Sequence, residues 1–151
     1  MDIKEVVLEN KWALTIRDTC TFAELSDRFR DNFTEIVVFM KKNSIKPAGH
    51  FYGLYHSFSD EKVDFDAGIP VEGNIQPEGR INMSETHGGK AVMTVFAGHY
   101  DDLNKAWKKF ADVVDAAGYK LAGPCFEVYV TGPAEEPDST KWITELYTPV
   151  K

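Results

Sequence analysis

Apolar and polar side chains alternate along residues 142–150, and this period of two predicts a β-strand. One face of that strand is expected to meet a core and carries Trp142, Thr144 and Leu146. The opposite face carries Ile143, Glu145 and Tyr147. If that face is covered, Glu145 sits where ionisation is costly unless a positive group meets it. If the face is open to water, Glu145 is an ordinary solvated residue.

Two longer segments repeat their apolar residues every three or four positions, which is typical of amphipathic helices. The first is predicted to begin at Thr21, because Thr21 and Glu24 fit a capping box. The second follows Asp101 or Asp102 and ends at Gly118. Further strands are predicted at residues 12–16, 49–58, 63–71, 90–98 and 125–130.

The predicted order of strand, helix, strand and strand occurs twice along the chain. Residues 48–55 overlay residues 122–129, and residues 63–71 overlay residues 142–150, with the same closing Pro-Val. We therefore predict an α+β fold with a duplicated β-α-β-β repeat, an antiparallel sheet, two main helices on one face and a ligand cleft on the other. Residues 1–151 would form a single domain with half-repeats of about 1–72 and 80–151.

The phase of each strand predicts which side chains line that cleft. Phe126, Val128 and Val130 form an all-apolar side and are expected to meet the helix, so that Glu127 and Tyr129 point the other way. The overlay places Phe51, Tyr55 and Asp66 on the same side as Glu127. The predicted ligand-binding residues are Glu145, Tyr147, Glu127, Tyr129, Tyr55, Phe51 and Asp66, with Trp107 as a further candidate whose helical phase favours the core.

A cleft lined by tyrosines and acids suits hydrophobic ligands, above all cationic or aromatic small molecules. Aromatic faces attract cations, and a shielded carboxylate adds complementary charge.

Composition narrows the function classes. The net charge of −7 argues against a nucleic-acid surface, and no apolar run reaches the length of a membrane helix. The two cysteines, Cys20 and Cys125, lack metal spacing, and the histidines show no metal-binding pattern, so we expect no metal and no cofactor. The N-terminal residues have no signal-peptide pattern, and we expect a reduced, cytoplasmic protein.

Several short segments carry a family resemblance, and their order and spacing together are more specific than any one of them. They include residues 49–55, residues 63–66 with 69–71, residues 98–103 with Trp107, residues 127–129 and residues 143–150. In these segments the chain resembles the GyrI-like small-molecule-binding domain, which is also the effector-binding domain of multidrug-sensing transcription regulators. The chain departs from the family pattern at Phe96, where many relatives have a histidine.

The resemblance implies a duplicated β-α-β-β fold and a pocket between the halves for hydrophobic, often cationic molecules. By position, Glu145 and Tyr147 match the pocket strand of the family, and Glu127 matches the acid on the preceding strand. Because no DNA-reading segment precedes the domain, we expect a stand-alone form.

Three functions stay open at this point. The first is the binding or sequestration of hydrophobic cations. The second is a hydrolase of strained cyclopropane-type electrophiles, in which Glu145 is the general base and Tyr147 or Tyr129 steadies the developing anion. The third is a protein-interaction inhibitor of the DNA gyrase type.

Overall fold

The computed structural model describes the whole chain, Met1–Lys151, and contains two main α-helices and eight β-strands. The helices are α1 (Leu25–Lys42) and α2 (Leu103–Ala116). The strands are β1 (Lys4–Leu8), β2 (Trp12–Cys20), β3 (Tyr52–Phe58), β4 (Val63–Pro70), β5 (Asn82–Glu85), β6 (Gly89–Ala97), β7 (Phe126–Thr131) and β8 (Ile143–Pro149). The predicted α+β class, with antiparallel strands and two main helices, is confirmed.

The chain divides into two compact units. The first unit is Glu9–Gly88, and the second unit combines Met1–Leu8 with Gly89–Lys151. In the first unit the strands lie in the order β5, β2, β4, β3, and in the second unit in the order β1, β6, β8, β7. The two orders are equivalent. In each unit a short edge strand (β5 or β1) lies beside the long strand that precedes the helix (β2 or β6), and the two strands that come after the helix complete the order.

The two units agree in register as well as in order. In the first unit Gly53 pairs with Ala67 and Tyr55 with Phe65. At the overlaid positions of the second unit, Glu127 pairs with Leu146 and Tyr129 with Thr144. An irregularity follows Tyr55 in β3 and Tyr129 in β7, so even the bulges coincide. Each pair of strands therefore has the geometry that the sequence overlay predicts.

One face of each sheet is covered by the helix of its own unit. In the first unit Ile36 and Phe39 of α1 pack on Leu14 and Ile69. In the second unit Phe110 of α2 packs in a cluster with four residues of its helix and sheet: Leu103, Val114, Val92 and Leu146. Both helices follow the apolar period of the sequence, which places one stripe of side chains on the sheet.

Local signals fix the ends of the helices. Glu24 accepts a hydrogen bond from the backbone N–H of Thr21 at 3.0 Å, as the predicted capping box requires, and a short 3₁₀ turn (Phe22–Glu24) leads into α1. A matching 3₁₀ turn (Tyr100–Asp102) leads into α2. Gly118 follows α2 with a φ of 85°, a left-handed conformation that suits glycine after a helix.

The edge strands depart from the sequence prediction. β5 was not predicted, because its four residues are mostly polar, yet it pairs with β2 in an antiparallel register from Trp12 to Thr15. β1 pairs with β6 and so belongs with the residues of the second half of the chain. The first eight residues therefore lie in a different unit from the helix and strands that follow them.

Candidate functional site

A buried carboxylate in the second unit accepts hydrogen bonds from two neutral aromatic donors. Glu127 is 3% exposed. Its Oε1 accepts a hydrogen bond from Trp107 Nε1 at 2.7 Å, and its Oε2 accepts one from the Tyr129 hydroxyl at 2.5 Å. Donors at both oxygens stabilise the ionised form of a carboxylate that burial would otherwise disfavour. The predicted residues Glu127 and Tyr129 are thus brought together, and Trp107 joins them.

Further aromatic rings extend this site towards the start of α2. The ring of Tyr100 meets Tyr129 edge-on at 5.8 Å and lies 4.9 Å from the ring of Trp142. The ring of His99 stacks on the ring of Trp142, with 5.2 Å between the two ring centroids. Burial raises the pKa of Tyr100, and the charges of Glu135 and Glu127 raise it further, so its hydroxyl stays protonated at neutral pH.

Thr144 lies on the same face of β8 as these groups and is fully buried. It pairs with Tyr129 on one side and with Phe96 on the other. Its hydroxyl has no hydrogen-bond partner. Buried hydroxyls are rarely left unpaired, because removing one from water without replacing its hydrogen bonds costs free energy.

We call this group the Glu127 site. Its members are Glu127, Trp107, Tyr129, Tyr100, Trp142 and Thr144. A carboxylate among aromatic rings, when ionised, is complementary to an organic cation, which gains both Coulomb attraction and contact with the faces of the rings.

The second predicted pair, Glu145 and Tyr147, lies on the opposite face of β8. Glu145 pairs with Val128 and Tyr147 with Phe126 across the β7–β8 ladder. The Tyr147 hydroxyl donates to Glu145 Oε1 at 3.0 Å, and the rings of Phe126 and Tyr147 stack at 4.9 Å. Burial raises the pKa of Tyr147, and the neighbouring Glu145 charge raises it further.

The predicted phase of β7 is therefore wrong. Glu127 and Tyr129 face α2, whereas Phe126 and Val128 share the face of Glu145 and Tyr147. The all-apolar side of this strand does not meet the helix, because the hydrogen bonds from Trp107 and Tyr129 make the burial of a carboxylate tolerable there. Glu127 and Glu145 consequently do not line one surface of the sheet.

The same error moves two predicted residues of the first unit. Tyr55 pairs with Phe65 and meets Phe29 of α1 edge-on at 6.3 Å, so it points towards the helix. Phe51, just before β3, lies 4.6 Å from the ring of Phe33, also on α1. Both aromatic residues pack beneath α1 instead of lining the opposite face, because their rings contact Phe29 and Phe33 of the helix.

Asp66 takes the predicted orientation, away from α1. It pairs with Arg17 and with Leu54 on the neighbouring strands. His56 Nε2 lies 3.1 Å from Asp66 Oδ2. Arg17 forms a two-pronged contact with the nearby Asp64, with distances of 3.0 and 2.8 Å to its two oxygens. The acids of this face thus have basic neighbours within the first unit.

Four members of the Glu127 site are missing from the predicted ligand-binding residues or were expected to belong to the core. Trp107 packs against the core, as its helical phase indicates, but its indole N–H also binds the carboxylate. Tyr100, Trp142 and Thr144 are not among the predicted ligand-binding residues, and the last two are predicted on the core face of the strand at residues 142–150. A signal existed for Trp107, since a buried indole N–H needs a hydrogen-bond acceptor.

No group of three or more metal-ligating side chains comes together in the structure. No helix is long and apolar enough to cross a membrane.

Three known proteins are similar to this chain. The DNA gyrase inhibitor of Escherichia coli (strain K12) is 28% identical over 131 residues, which cover 81% of each chain. EcmrR, solved in a complex with DNA, matches 99% of this chain with a TM-score of 0.85 and 23% identity, and this chain spans 56% of its length. SAV2435 bound to tetraphenylphosphonium matches 100% of this chain and 94% of its own, with a TM-score of 0.75 and 16% identity.

The structural likenesses support the fold, since fold similarity persists at identities where function does not transfer. The model of the GyrI-like small molecule binding domain matches residues 1–151, and the chain therefore belongs to the GyrI-like small-molecule-binding family.

Proposed function

We propose that this protein binds hydrophobic aromatic cations and that Glu127 is the charge partner of the ligand. The observation that carries the proposal is the Glu127 carboxylate, which is almost completely buried among aromatic rings and is bound by two neutral donors. The two donors orient the carboxylate, and hydrogen bonds of this kind favour the charged form that would attract a positive ligand. Small-molecule binding is the property of the family, and the cationic class is our addition to it.

The comparison with SAV2435 supports the class of ligand. That protein is bound to tetraphenylphosphonium, which combines a delocalised positive charge with four aromatic rings. The Glu127 site offers the matching features, because a carboxylate attracts the charge while Tyr100, Tyr129 and Trp142 offer ring faces and edges. Binding of this kind suits the sequestration of hydrophobic cations.

The remaining predicted residues define secondary expectations. Glu145 and Tyr147, on the other face of β8, form a second acidic and aromatic pair that a cation could contact. Phe51 and Tyr55 pack beneath α1, and Asp66 has His56 beside it, so we expect smaller effects on binding when these three are changed.

Titration with tetraphenylphosphonium, followed by tryptophan fluorescence and calorimetry, tests the proposal. Glu127→Gln keeps the shape of the side chain and removes its charge. We expect it to weaken binding roughly tenfold to a hundredfold, which corresponds to about 1.4–2.8 kcal/mol for a partly desolvated charge pair. The matched variant Glu145→Gln should change affinity less than threefold, about 0.6 kcal/mol.

Equal affinities of wild type and Glu127→Gln would reject the Glu127 site. If Glu145→Gln alone weakened binding, the ligand would belong to the other face of β8. If neutral triphenylmethane-type analogues bound as tightly as the cation, the cationic class would be wrong.

Inhibition of DNA gyrase is a second candidate, and the relationship to the E. coli DNA gyrase inhibitor favours it. A supercoiling assay with purified gyrase separates the two functions. Inhibition by wild type that persists in Glu127→Gln would assign the effect to a protein surface. Loss of inhibition in this variant would link the ligand site to the partner.

A hydrolase is the third alternative, since a carboxylate beside a tyrosine hydroxyl can serve as a general base beside an anion-stabilising donor. The Glu145–Tyr147 pair has this form. Turnover of a strained cyclopropane-type electrophile by wild type, lost in Glu145→Gln and in Tyr147→Phe, would support it. Binding without turnover would leave the protein a binder.

A further inference from the structure

We propose that Thr144 is the second polar contact of the Glu127 site and makes it prefer cations that carry N–H groups, such as protonated amines, over permanently charged cations that carry none. The inference rests on the proposed function and names a narrower ligand class for the same site.

The unpaired hydroxyl of Thr144 is the first observation. The side chain is 0% exposed, and its Oγ1 has no partner in the protein. A valine has nearly the same shape without the hydroxyl and would avoid the cost of an unpaired buried oxygen. A hydroxyl in this place is explained if a bound molecule supplies its hydrogen bond.

Comparison with the other threonines on the same sheet face strengthens this point. Thr94 is buried, and its hydroxyl donates to the backbone oxygen of Asp2 at 2.7 Å. Thr148 is buried as well, and its hydroxyl lies 3.7 Å from Cys125 Sγ, within reach of a weak sulfur hydrogen bond. Thr144 and Thr148 are both diagonal neighbours of Glu127, which pairs with Leu146, and only the Thr144 hydroxyl of the two lacks a partner in the protein.

The equivalent position of the first unit provides the second observation. Tyr129 pairs with Thr144, as Tyr55 pairs with Phe65. The ring of Phe65 is fully buried and lies 4.6 Å from the ring of Phe29, so in the first unit the side chain at this position fills the space beneath the helix. Threonine is much smaller than phenylalanine, and it places a hydroxyl where the first unit has a ring.

The register sets the distance between the two polar groups. Glu127 is the diagonal neighbour of Thr144 across the β7–β8 ladder, and diagonal neighbours lie about 7–8 Å apart between backbone positions. Side chains that extend from the same face can both reach one small polar group between them. A protonated amine there would donate one N–H to Glu127 and another to Thr144 Oγ1, both as charge-assisted hydrogen bonds.

A trimethylammonium group carries the same charge but has no N–H to donate, so it gains only from Glu127 and from the aromatic rings. The test therefore uses two matched probes, 4-phenylbenzylammonium and its N,N,N-trimethyl analogue, titrated by calorimetry. The variants are Thr144→Val, which removes only the hydroxyl, and Thr144→Ser, which keeps it. Thr148→Val is the control on the same strand and face.

We expect Thr144→Val to weaken binding of the primary amine roughly tenfold, as for the loss of one hydrogen bond to a charged group, and to change binding of the trimethyl analogue less than twofold. Thr144→Ser and Thr148→Val should keep the wild-type ratio of the two affinities. Thr144→Val should melt at the same temperature as wild type or higher, which shows that it folds.

The failure of this inference differs from the failure of the proposed function. If Glu127→Gln weakens both probes but Thr144→Val leaves their ratio unchanged, the role of Thr144 is overturned and the cation site stands. If Glu127→Gln weakens neither probe, the proposed function itself is overturned. If Thr144→Val weakens both probes equally, Thr144 acts through packing, and the preference for N–H groups is wrong.

Discussion

The two units share strand order and register but bury different kinds of side chain at matched positions. Beneath α1, four matched positions carry a cluster without a carboxylate, and beneath α2 they carry the Glu127 site. The pairs, first unit before second, are Phe29 and Trp107, Tyr55 and Tyr129, Gly53 and Glu127, and Phe65 and Thr144. In the first unit apolar rings fill these positions. In the second unit a carboxylate with its hydrogen-bond donors replaces part of that apolar contact.

At a second set of matched positions the first unit has the polar cluster and the second unit has the apolar one. Asp18 of the first unit accepts hydrogen bonds from Arg28 at 2.9 Å and from the buried Asn32 at 3.1 Å. The corresponding positions of the second unit hold Phe96, Ala106 and Phe110, which join its apolar core. Each helix thus covers one polar cluster, at a different place in each unit. This fold therefore tolerates buried polar groups where hydrogen-bond donors and acceptors match. The cluster at Asp18 is a structural network, whereas the cluster at Glu127 is the candidate binding site.

The largest effect that tests the comparison is on stability. Phe65→Ala should lower the free energy of unfolding by about 3–5 kcal/mol, because it deletes a fully buried ring and leaves a cavity beside Phe29. Thr144→Ala at the matched position should change it by no more than about 1 kcal/mol. Urea titration followed by circular dichroism measures both values.

Val38→Ala serves as the control for these truncations, since Val38 is 61% exposed on α1 and its loss should cost less than about 0.5 kcal/mol. Equal costs at Phe65 and Thr144 would mean that the two positions are packed alike, and the contrast between a packed ring and an unpaired hydroxyl would be lost.

A smaller effect should appear in the coupling between Glu127 and Tyr129. Their hydrogen bond joins a carboxylate to a neutral donor, so a double-mutant cycle with Glu127→Gln and Tyr129→Phe should give a coupling of about 1–2 kcal/mol in the free energy of unfolding. The same pair of changes in the Glu145–Tyr147 contact, on the other face of the strand, provides the comparison. Additive effects at Glu127 and Tyr129 would show that the bond contributes nothing to the folded state.

The smallest effect concerns acid stability and belongs to the first unit. Burial raises the pKa of Asp18, but hydrogen bonds from Asn32 and the Thr19 N–H, together with Arg28, outweigh it and hold the pKa below its ordinary value. A carboxyl whose folded pKa is depressed stabilises the fold above its unfolded pKa of about 3.9, and this contribution is lost as the pH falls through the folded value.

Asp18→Asn should therefore remove a pH-dependent contribution of no more than about 1 kcal/mol, because Arg28 is partly exposed to solvent. Urea titrations at about pH 6, 4 and 2.5 should show a shallower loss of stability in the variant than in wild type. Parallel curves would exclude Asp18 from the acid response.

Much of the fold followed from periodicity and from the repeat. Residues 63–71 and 142–150 show their strands in the alternation of apolar groups, and the overlay of Tyr55 on Tyr129 matches the pairing of both strands. β5 is not predicted, because the side chains of this short edge strand are mostly polar and show no hydrophobic period.

The site was harder to predict, because its central residue breaks the rule that was used to find it. The predicted phase of β7 places its apolar side against the helix, and the buried carboxylate of Glu127 shows that the phase is the opposite. Only the partners of Glu127 reveal the inversion, and they come from α2 and from a residue two positions along the same strand. Pairwise contacts of this kind depend on tertiary structure, which local patterns do not contain.

The position of β1 has a consequence for how the chain folds during synthesis. Met1–Leu8 leave the ribosome before Glu9–Gly88, and their partner strand β6 follows only after the whole of Glu9–Gly88. Closing so long a loop costs entropy, and the cost grows slowly with length. If Glu9–Gly88 becomes compact first, it shortens the effective distance that β1 must span, so the order of emergence favours folding of the first unit before the second. The Glu127 site, which depends on α2, β7 and β8, would then be the last part of the molecule to form.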